Sequence, residues 1–251
     1  MNVICDLDGV IWLGDEVIPG SCEAVADLRE AGHRVTFVSN NSFAPVHMVE
    51  DKLLRFGIPA VGDVFTSAQA AASLIASGER VLLLGGPGAA ECLRGAGAQL
   101  VDDGPADVVV VGFHRTFDYE GLRKAATALR AGARFVATND DATYPTPTGP
   151  IPGCGSLVAA VQTGSGMSPI IAGKPYAPMA AVVRQALGED GDFIVIGDRA
   201  DTDGEFAVRL GARFGLVLSG VIRPSDLPVS PTPDLIADDL LQMAGLLLSG
   251  A

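Results

Sequence analysis

The chain begins with Val3-Ile4-Cys5-Asp6-Leu7-Asp8-Gly9-Val10, a short apolar run that leads two acids, two residues apart, into a glycine turn. The apolar run has the composition of a buried strand, so we expect Asp6 and Asp8 to lie where that strand ends. Two carboxylates held this close shift each other's pKa or bind a cation, and their oxygen atoms suit Mg²⁺. Asp and Gly also favour turns for local reasons, so this stretch alone fits an Asp-capped turn equally well.

Length and charge limit the classes of protein to consider. With 251 residues, of which 48% are hydrophobic, the chain can form one large domain or a core domain with a smaller one. The formal net charge of −13 argues against a nucleic-acid partner, because phosphate backbones are bound by clustered Lys and Arg. A phosphorylated ligand would therefore have to be held locally, by a metal, a few cations and backbone N–H groups.

The cysteines, histidines and chain ends predict a cytoplasmic protein. The four cysteines are scattered without a Cys-x-x-Cys pair, and three histidines do not suggest a zinc cluster. Acids stand near the N-terminus where a signal peptide would have a basic region. The Leu-rich tail at 240–248 is too short to span a bilayer, so we expect reduced thiols and no membrane partner.

Polar side chains follow four apolar runs that read as buried strands. They are Asp6 and Asp8, Ser39 and Asn40, Lys174, and Asp198 and Asp203. Parallel α/β sheets bind ligands at the carboxyl ends of their strands, and here strands alternate with helical patterns. We therefore predict an α/β fold with a doubly wound parallel sheet, in which these four strand tips lie side by side.

The middle of the chain reads as a separate unit. Its predicted strands are at 81–84, 108–111 and 135–137, and its predicted helices are at 89–96 and 119–131. The polar strand tips before and after this region complement each other better than they complement it. We predict an inserted α/β domain at 79–152 and a core formed by 1–78 and 153–251.

A metal, a nucleophilic carboxylate, a second carboxyl and a fixed cation are what phosphoryl transfer needs. Asp6 would attack phosphorus and form an aspartyl-phosphate, and Asp8 would protonate the leaving alcohol and then take a proton from water. Asp198 would complete the metal site, and Asp203 would support it. The phosphoryl group would be held by Gly9, Ser39, Asn40 and Lys174.

These segments resemble the four motifs of the haloacid dehalogenase superfamily, and more narrowly of its NagD-like, p-nitrophenyl phosphatase branch. The motifs are Asp6-Leu7-Asp8-Gly9-Val10, Ser39-Asn40-Asn41, Gly173-Lys174-Pro175, and Gly197-Asp198-Arg199 with Thr202-Asp203. Two further segments, at 137–141 and 151–155, look like those that flank the cap domain in this branch. The resemblance covers nearly the whole chain.

The resemblance implies a Rossmannoid core with an inserted α/β cap, Mg²⁺ dependence and hydrolysis of small phosphomonoesters. It also implies that Asp8 binds the metal through its main-chain carbonyl, and it is compatible with a homodimer formed through the cap. The sequence departs from the pattern at two positions. Asp140 replaces a proline, which puts substrate preference in doubt, and Gly204 replaces an apolar residue, which bears on helix geometry.

A cap excludes water and contacts the leaving group, so its residues choose the substrate. We expect Asn139 and Asp141 to have this role, although both residue types also form turns for local reasons.

Three alternatives remain at this point. The segment Leu84-Gly85-Gly86-Pro87-Gly88 suggests a dinucleotide-binding oxidoreductase, but Glu91 stands where the third glycine belongs. A phosphomutase could use the same acids. A binding protein without turnover would not need both Asp6 and Asp8.

Overall fold

The protein is described by a computed structural model that covers residues 1–144, 146, 149–189 and 191–250. Strands and helices alternate along this part of the chain. The strands are β1 (Asn2–Cys5), β2 (Trp12–Leu13), β3 (Glu16–Val17), β4 (Arg34–Ser39), β5 (Val64–Thr66), β6 (Arg80–Leu84), β7 (Gln99–Val101), β8 (Val108–Val111), β9 (Arg134–Ala137), β10 (Thr143–Tyr144), β11 (Ile151–Pro152), β12 (Ile170–Ile171), β13 (Phe193–Gly197), β14 (Arg213–Val217) and β15 (Leu235–Ala237).

The helices connect these strands in the manner of an α/β fold. They are α1 (Ser21–Glu30), α2 (Val46–Arg55), α3 (Ser67–Ala72), α4 (Pro87–Gly95), α5 (Tyr119–Arg130), α6 (Cys154–Ser165), α7 (Ala177–Leu187), α8 (Glu205–Leu210) and α9 (Leu240–Leu248). A π-helical turn, Ala200–Gly204, precedes α8, and a 3₁₀ turn lies at Pro224–Asp226.

The chain forms two compact units. The first contains Met1–Ser39, His47–Phe65 and Lys174–Ala251, and the second contains Asn40–Val46 and Thr66–Gly173. The second unit extends beyond the predicted insertion at 79–152, because α6 packs on α5 and β12 pairs with β9. The range 79–152 as a separately folding domain stays a prediction.

The first unit is built on a six-stranded sheet in the order β15-β14-β13-β1-β4-β5. Strand β1 lies between β13 and β4 and is parallel to both. Its buried residues Val3, Ile4 and Cys5 have no exposed surface, as expected for a strand covered on both faces. The sheet is covered by helices that pack in pairs, α1 with α9 and α7 with α8.

The second unit is built on a five-stranded sheet in the order β12-β9-β8-β6-β7, in which each pair of neighbouring strands is parallel. Its centre is β8, whose four valines are fully buried. Helices α5 and α6 cover these strands and close an apolar core that includes Leu129 and Phe135. The predicted α/β fold with a parallel-sheet core and an inserted α/β unit is thus confirmed.

One expectation about the sheet is wrong. The sequence predicts that the apolar run before Lys174 is a strand of the same sheet as the other three runs with polar tips. Instead β12 pairs with β9 in the second sheet, and Lys174 begins the next segment of the first unit. A strand of two residues carries too little pattern to indicate which sheet it joins.

Thr36 in β4 gives a direct test of packing in the first unit. Its Oγ1 is the one buried side-chain polar atom without a hydrogen-bond partner in the described ranges. In Thr36→Val a methyl group replaces the unpaired hydroxyl, so we expect the free energy of unfolding to rise by about 1 kcal/mol. Thermal denaturation should then show a melting temperature higher by about 2–4 °C.

The matched control is Thr138→Val in the second unit, where the buried Oγ1 donates to Ser42 Oγ at 2.9 Å. That variant loses a hydrogen bond and should melt at a lower temperature than the wild type. Equal destabilisation of both variants would contradict the unpaired state of Thr36.

Candidate active site

The tip of β1 positions the first acid of the site. Strand register pairs Cys5 with Ile196 of β13 and with Phe37 of β4. The Asp6 N–H donates to the Ile196 carbonyl at 2.8 Å, which extends the pairing by one residue. Asp198 directly follows β13 and Ser39 ends β4, so the polar residues of three adjacent strands lie at one edge of the sheet.

Lys174 is buried between two carboxylates. Its Nζ donates to Asp6 Oδ1 at 2.6 Å and to Asp203 Oδ1 at 2.7 Å, and only 3% of its side chain is exposed. Burial alone would lower the pKa of Lys174, but the charges and hydrogen bonds of Asp203 and Asp6 raise it above its usual value. Lys174 is therefore an ammonium ion at every physiological pH.

Three carboxylates crowd around this one cation. Asp6, Asp198 and Asp203 each offer an oxygen, and these oxygens lie within 4.8 Å of one another. Burial raises the pKa of all three: that of Asp203 rises to about 6, and that of Asp198 rises well above its usual value. When all three are ionised, one ammonium leaves two negative charges uncompensated. A divalent cation would balance them, and carboxylate oxygens are the ligands that Mg²⁺ prefers.

Two glycines make room for the Asp198 carboxylate. A Cβ at Gly9 or at Gly220 would overlap Asp198, and Gly9 also has a left-handed φ of 88°. Val221 N–H donates to Asp198 Oδ2 at 2.6 Å, and Ser219 Oγ donates to the Gly9 carbonyl at 2.7 Å. Residues 219–221 thus fix Asp198 and the glycine turn together.

Sequence reasoning missed the segment 219–221. A signal for it exists, because Ser219 and Gly220 follow the buried strand β14 in the same way that the other polar residues follow their strands. The proline-rich run that comes next concealed this fifth strand tip.

The π-helical turn holds Asp203 in place. Asp203 Oδ2 accepts from the Arg199 N–H at 3.2 Å, and the Gly204 N–H donates back to the Arg199 carbonyl at 3.2 Å. A Cβ at Gly204 would lie 2.8 Å from Pro231 and 2.9 Å from Phe214. The departure at Gly204 therefore has a physical reason, since a larger residue would not fit in this turn.

Asp8 lies in a different environment from Asp6. Its Oδ1 accepts a hydrogen bond from Trp12 Nε1 at 3.1 Å. Burial raises the pKa of Asp8, while the Trp12 hydrogen bond and the charge of Lys52 oppose that rise. Trp12 and Lys52 were not among the predicted site residues.

In the second unit the structure brings together the predicted residues Asn40, Asn139 and Asp141. Asn40 Nδ2 donates to Asp141 Oδ2 at 3.1 Å, and Asn139 Nδ2 donates to the Asn40 carbonyl at 2.7 Å. The Asp141 N–H donates to Asn139 Oδ1 at 3.2 Å, and Asn139 is 3% exposed. The Asn139 amide is thus engaged at both ends, and the three residues form one hydrogen-bonded group.

The glycine-rich turn after β6 has a packing role. A Cβ at Gly86 would overlap Phe43, and one at Gly88 would overlap the Ala44 carbonyl. The Gly88 N–H donates to the Phe43 carbonyl at 2.8 Å, and the Ala89 N–H donates to the Ser42 carbonyl at 3.0 Å. Because the chain itself takes these N–H groups of α4, this turn gives no support to a dinucleotide site.

Two family models match the chain. The model described as haloacid dehalogenase-like hydrolase matches residues 3–99, and a HAD-hydrolase-like model matches residues 171–243. The p-nitrophenyl phosphatase from Archaeoglobus fulgidus superposes with a TM-score of 0.91 at 33% identity, covering 97% of this chain and 98% of that one.

The chain belongs to the haloacid dehalogenase-like hydrolase family. Its resemblance to the NagD-like, p-nitrophenyl phosphatase branch is confirmed.

Curated relatives agree with this assignment. The chain is 40% identical to the D-glycerol 3-phosphate phosphatase of Mycobacterium tuberculosis over 87% of this chain and 63% of that protein. It therefore spans less than two thirds of that relative's length. It is 35% identical to the 5'-nucleotidase YutF of Bacillus subtilis over 88% of both chains. These names confirm the expected class of enzyme, a phosphatase.

A solved structure of a relative contains a metal. The glycerol phosphate phosphatase from Mycobacterium tuberculosis in complex with magnesium has a TM-score of 0.89 at 36% identity, covering 98% of this chain and 78% of that one. Among the described residues, no helix is both long and apolar enough to cross a membrane.

Lys174→Met tests the charge balance of the site. Removing the ammonium leaves Asp6 and Asp203 buried without their cation, so we expect a loss of about 3–5 kcal/mol in the free energy of unfolding. The loss should be larger at pH 8 than at pH 5, since protonation of the carboxyls at the lower pH relieves the repulsion. Urea denaturation in EDTA at both pH values measures this.

Lys124→Met is the control, because Lys124 Nζ makes an exposed contact with the Asp102 carbonyl. Its effect should stay within about 0.5 kcal/mol at either pH. A pH-independent loss in Lys174→Met would show that packing, and not charge, determines the effect.

Proposed function

We propose that this enzyme hydrolyses small phosphomonoesters in a Mg²⁺-dependent reaction, through an aspartyl-phosphate on Asp6, with Asp8 as general acid and base. The observation that carries the proposal is the buried ammonium of Lys174 bound to both Asp6 and Asp203, with Asp198 beside them. A purely structural site has no reason to bury three carboxylates around a single cation, because each buried charge costs free energy.

The chemistry divides into two displacements. In the first, an Asp6 oxygen forms a bond to phosphorus while the bond from phosphorus to the alcohol oxygen breaks, and Asp8 gives its proton to that oxygen. In the second, Asp8 takes a proton from water, the water oxygen bonds to phosphorus, and the bond to Asp6 breaks. Inorganic phosphate leaves, and both acids return to their initial states.

The residues of the site fit a magnesium ion. Asp6 and Asp198 would bind it with their carboxylates and Asp8 with its main-chain carbonyl. Asp203 would support this arrangement without binding the ion itself. When bound, the ion would shield the negative charge that Asp6 and the phosphoryl oxygens bring together. Burial raises the pKa of Asp6 and Asp198, and the charges of neighbouring carboxylates add to the rise, so a cation beside them would stabilise their ionised forms.

The phosphoryl group would be held by Gly9, Ser39, Asn40 and Lys174. Of these residues, Lys174 is the best supported, because it carries a fixed positive charge next to the proposed nucleophile. Its position between Asp6 and Asp203 leaves the ammonium little freedom, so the group is preorganised to hold a phosphoryl oxygen.

The substrate would be a small phosphorylated metabolite. The relatives named above act, by their names, on D-glycerol 3-phosphate and on 5'-nucleotides. The net charge of −13 disfavours nucleic acid as a partner. We also propose that the enzyme works in the cytoplasm and that it forms a homodimer.

The central test is release of phosphate from p-nitrophenyl phosphate. We expect turnover with Mg²⁺, its loss in EDTA, and a fall of at least about 1,000-fold in Asp6→Asn, because the amide cannot form the phosphoenzyme. Asp27→Asn, a change of the same kind on the exposed face of α1, should leave the rate unchanged. Activity that survives both chelation and the Asp6 substitution would refute the mechanism.

A second prediction concerns substrate choice. Asp141 accepts from Asn40 and Asn139 donates to Asn40, so we propose that both act on the substrate by fixing Asn40. Asp141→Ala should change kcat/KM among metabolite phosphates by about 10-fold, the range in which binding-pocket contacts discriminate, and change it less for p-nitrophenyl phosphate. The measurement is a panel of phosphomonoesters with Mg²⁺, and a uniform loss across the panel would mean a role in folding alone.

A further inference from the structure

Trp12, the only tryptophan of the chain, is built into the turn that carries Asp8. Its N–H donates to the Leu7 carbonyl at 3.2 Å, and its carbonyl accepts from the Gly9 N–H at 2.7 Å. The side chain is 4% exposed, and the indole Nε1 donates to Asp8 Oδ1 at 3.1 Å. The ring and the carboxyl are therefore fixed to each other by the backbone as well as by the side chains.

Lys52 lies over the face of the Trp12 ring. Its Nζ is 4.2 Å from the centroid of the Trp12 ring, close enough for a cation–π interaction. The ammonium is anchored by the Gly14 carbonyl at 2.5 Å and by Asp15 at 3.7 Å, both in the turn between β2 and β3. Helix α2, which carries Lys52, is thereby connected to the hairpin that carries Trp12.

This geometry determines which Asp8 oxygen can carry a proton. An indole N–H only donates and never accepts, so Oδ1 serves as its acceptor in both protonation states of Asp8. Oδ2 accepts no hydrogen bond from the indole, so it is the oxygen that is available to hold and transfer a proton. A cation over the ring draws electron density from it and makes the N–H a better donor, which strengthens the preference.

We propose that Trp12 and Lys52 are positioning residues for proton transfer by Asp8, and that they act on protonation of the leaving oxygen and not on attack by Asp6. This inference rests on the proposed phosphatase mechanism. The indole N–H fixes Oδ1, Lys52 fixes the indole, and Oδ2 gives its proton to the departing alcohol as the phosphorus–oxygen bond breaks.

Leaving-group dependence separates this role from a structural one. An alkyl phosphate such as glycerol 3-phosphate must be protonated as the alcohol leaves, whereas p-nitrophenol leaves as a stable anion without a proton. The parameter to compare is kcat/KM, because it reports the steps up to formation of the phosphoenzyme. For the aryl substrate, this parameter does not depend on proton transfer by Asp8.

The test uses Trp12→Phe, which removes the N–H and keeps an aromatic face for Lys52. For glycerol 3-phosphate we expect kcat/KM to fall by about 10–100-fold, a part of the roughly 100–10,000-fold that general acid catalysis contributes. For p-nitrophenyl phosphate, kcat/KM should change by less than about 3-fold. There kcat and KM should fall together, because Asp8 still acts in hydrolysis of the phosphoenzyme.

Lys52→Met provides a second variant in case Trp12→Phe does not fold. It should give the same split between substrates with a smaller amplitude, and Lys52→Arg should restore most of the rate because the cation is retained. Arg55→Met is the matched control, since it removes one positive charge from the exposed end of the same helix. That control should leave both substrates unaffected.

The outcomes separate the inference from the mechanism beneath it. Equal loss of kcat/KM on both substrates, or no loss on either, overturns the positioning role while phosphatase activity stands. A wild-type enzyme that hydrolyses neither phosphate overturns the proposed function, and the inference with it. A loss of kcat/KM that is confined to the alkyl phosphate supports both the positioning role and the phosphatase mechanism.

Discussion

The site depends on one ion pair network, the ammonium of Lys174 bound between Asp6 and Asp203. Buried carboxylates repel each other and lose hydration, so without a cation they would take up protons. Lys174 compensates only part of this charge, and burial together with the charges of Asp6 and Asp203 raises the pKa of Asp198 well above its usual value. The fold therefore holds a site that is short of positive charge, a condition that favours binding of a divalent cation.

The acids can lie this close together only because the neighbouring positions carry no side chains. Glycines stand where any side chain would overlap a carboxylate: Gly9 and Gly220 beside Asp198, and Gly197 beside Asp203. Backbone N–H groups take the place of water as hydrogen-bond donors: the Val221 N–H donates to Asp198, and the Arg199 N–H donates to Asp203. Geometry is set by the backbone, which cannot rotate away as a side chain can, so the charge distribution is preorganised.

Much of this arrangement could be predicted from the sequence, because apolar strands that end in polar residues mark the edge of a parallel sheet. Asp6 and Asp198 follow strands of one such sheet, whereas Lys174 follows β12 of the other sheet and is placed beside Asp6 by a contact between distant residues. Other parts depend on contacts between distant residues, for which the sequence carries no local pattern. Examples are β12, too short to assign to a sheet, and the hydrogen bond from Asn40 to Asp141. Ser219 and Gly220 had a signal, but a proline-rich run hid it.

The two acids of the opening stretch follow one strand tip but lie in different environments. Asp6 faces Lys174 and the other carboxylates, where burial raises its pKa and the ammonium of Lys174 opposes that rise. Asp8, two residues later, has turned toward Trp12 and Lys52, a partly apolar environment in which burial favours its protonated form. Neighbouring carboxyls can act as nucleophile and acid only if their environments separate their pKa values. The tight turn at Leu7–Gly9 gives the two acids different partners, since it sends the first acid into the charged cluster and the second against an aromatic ring.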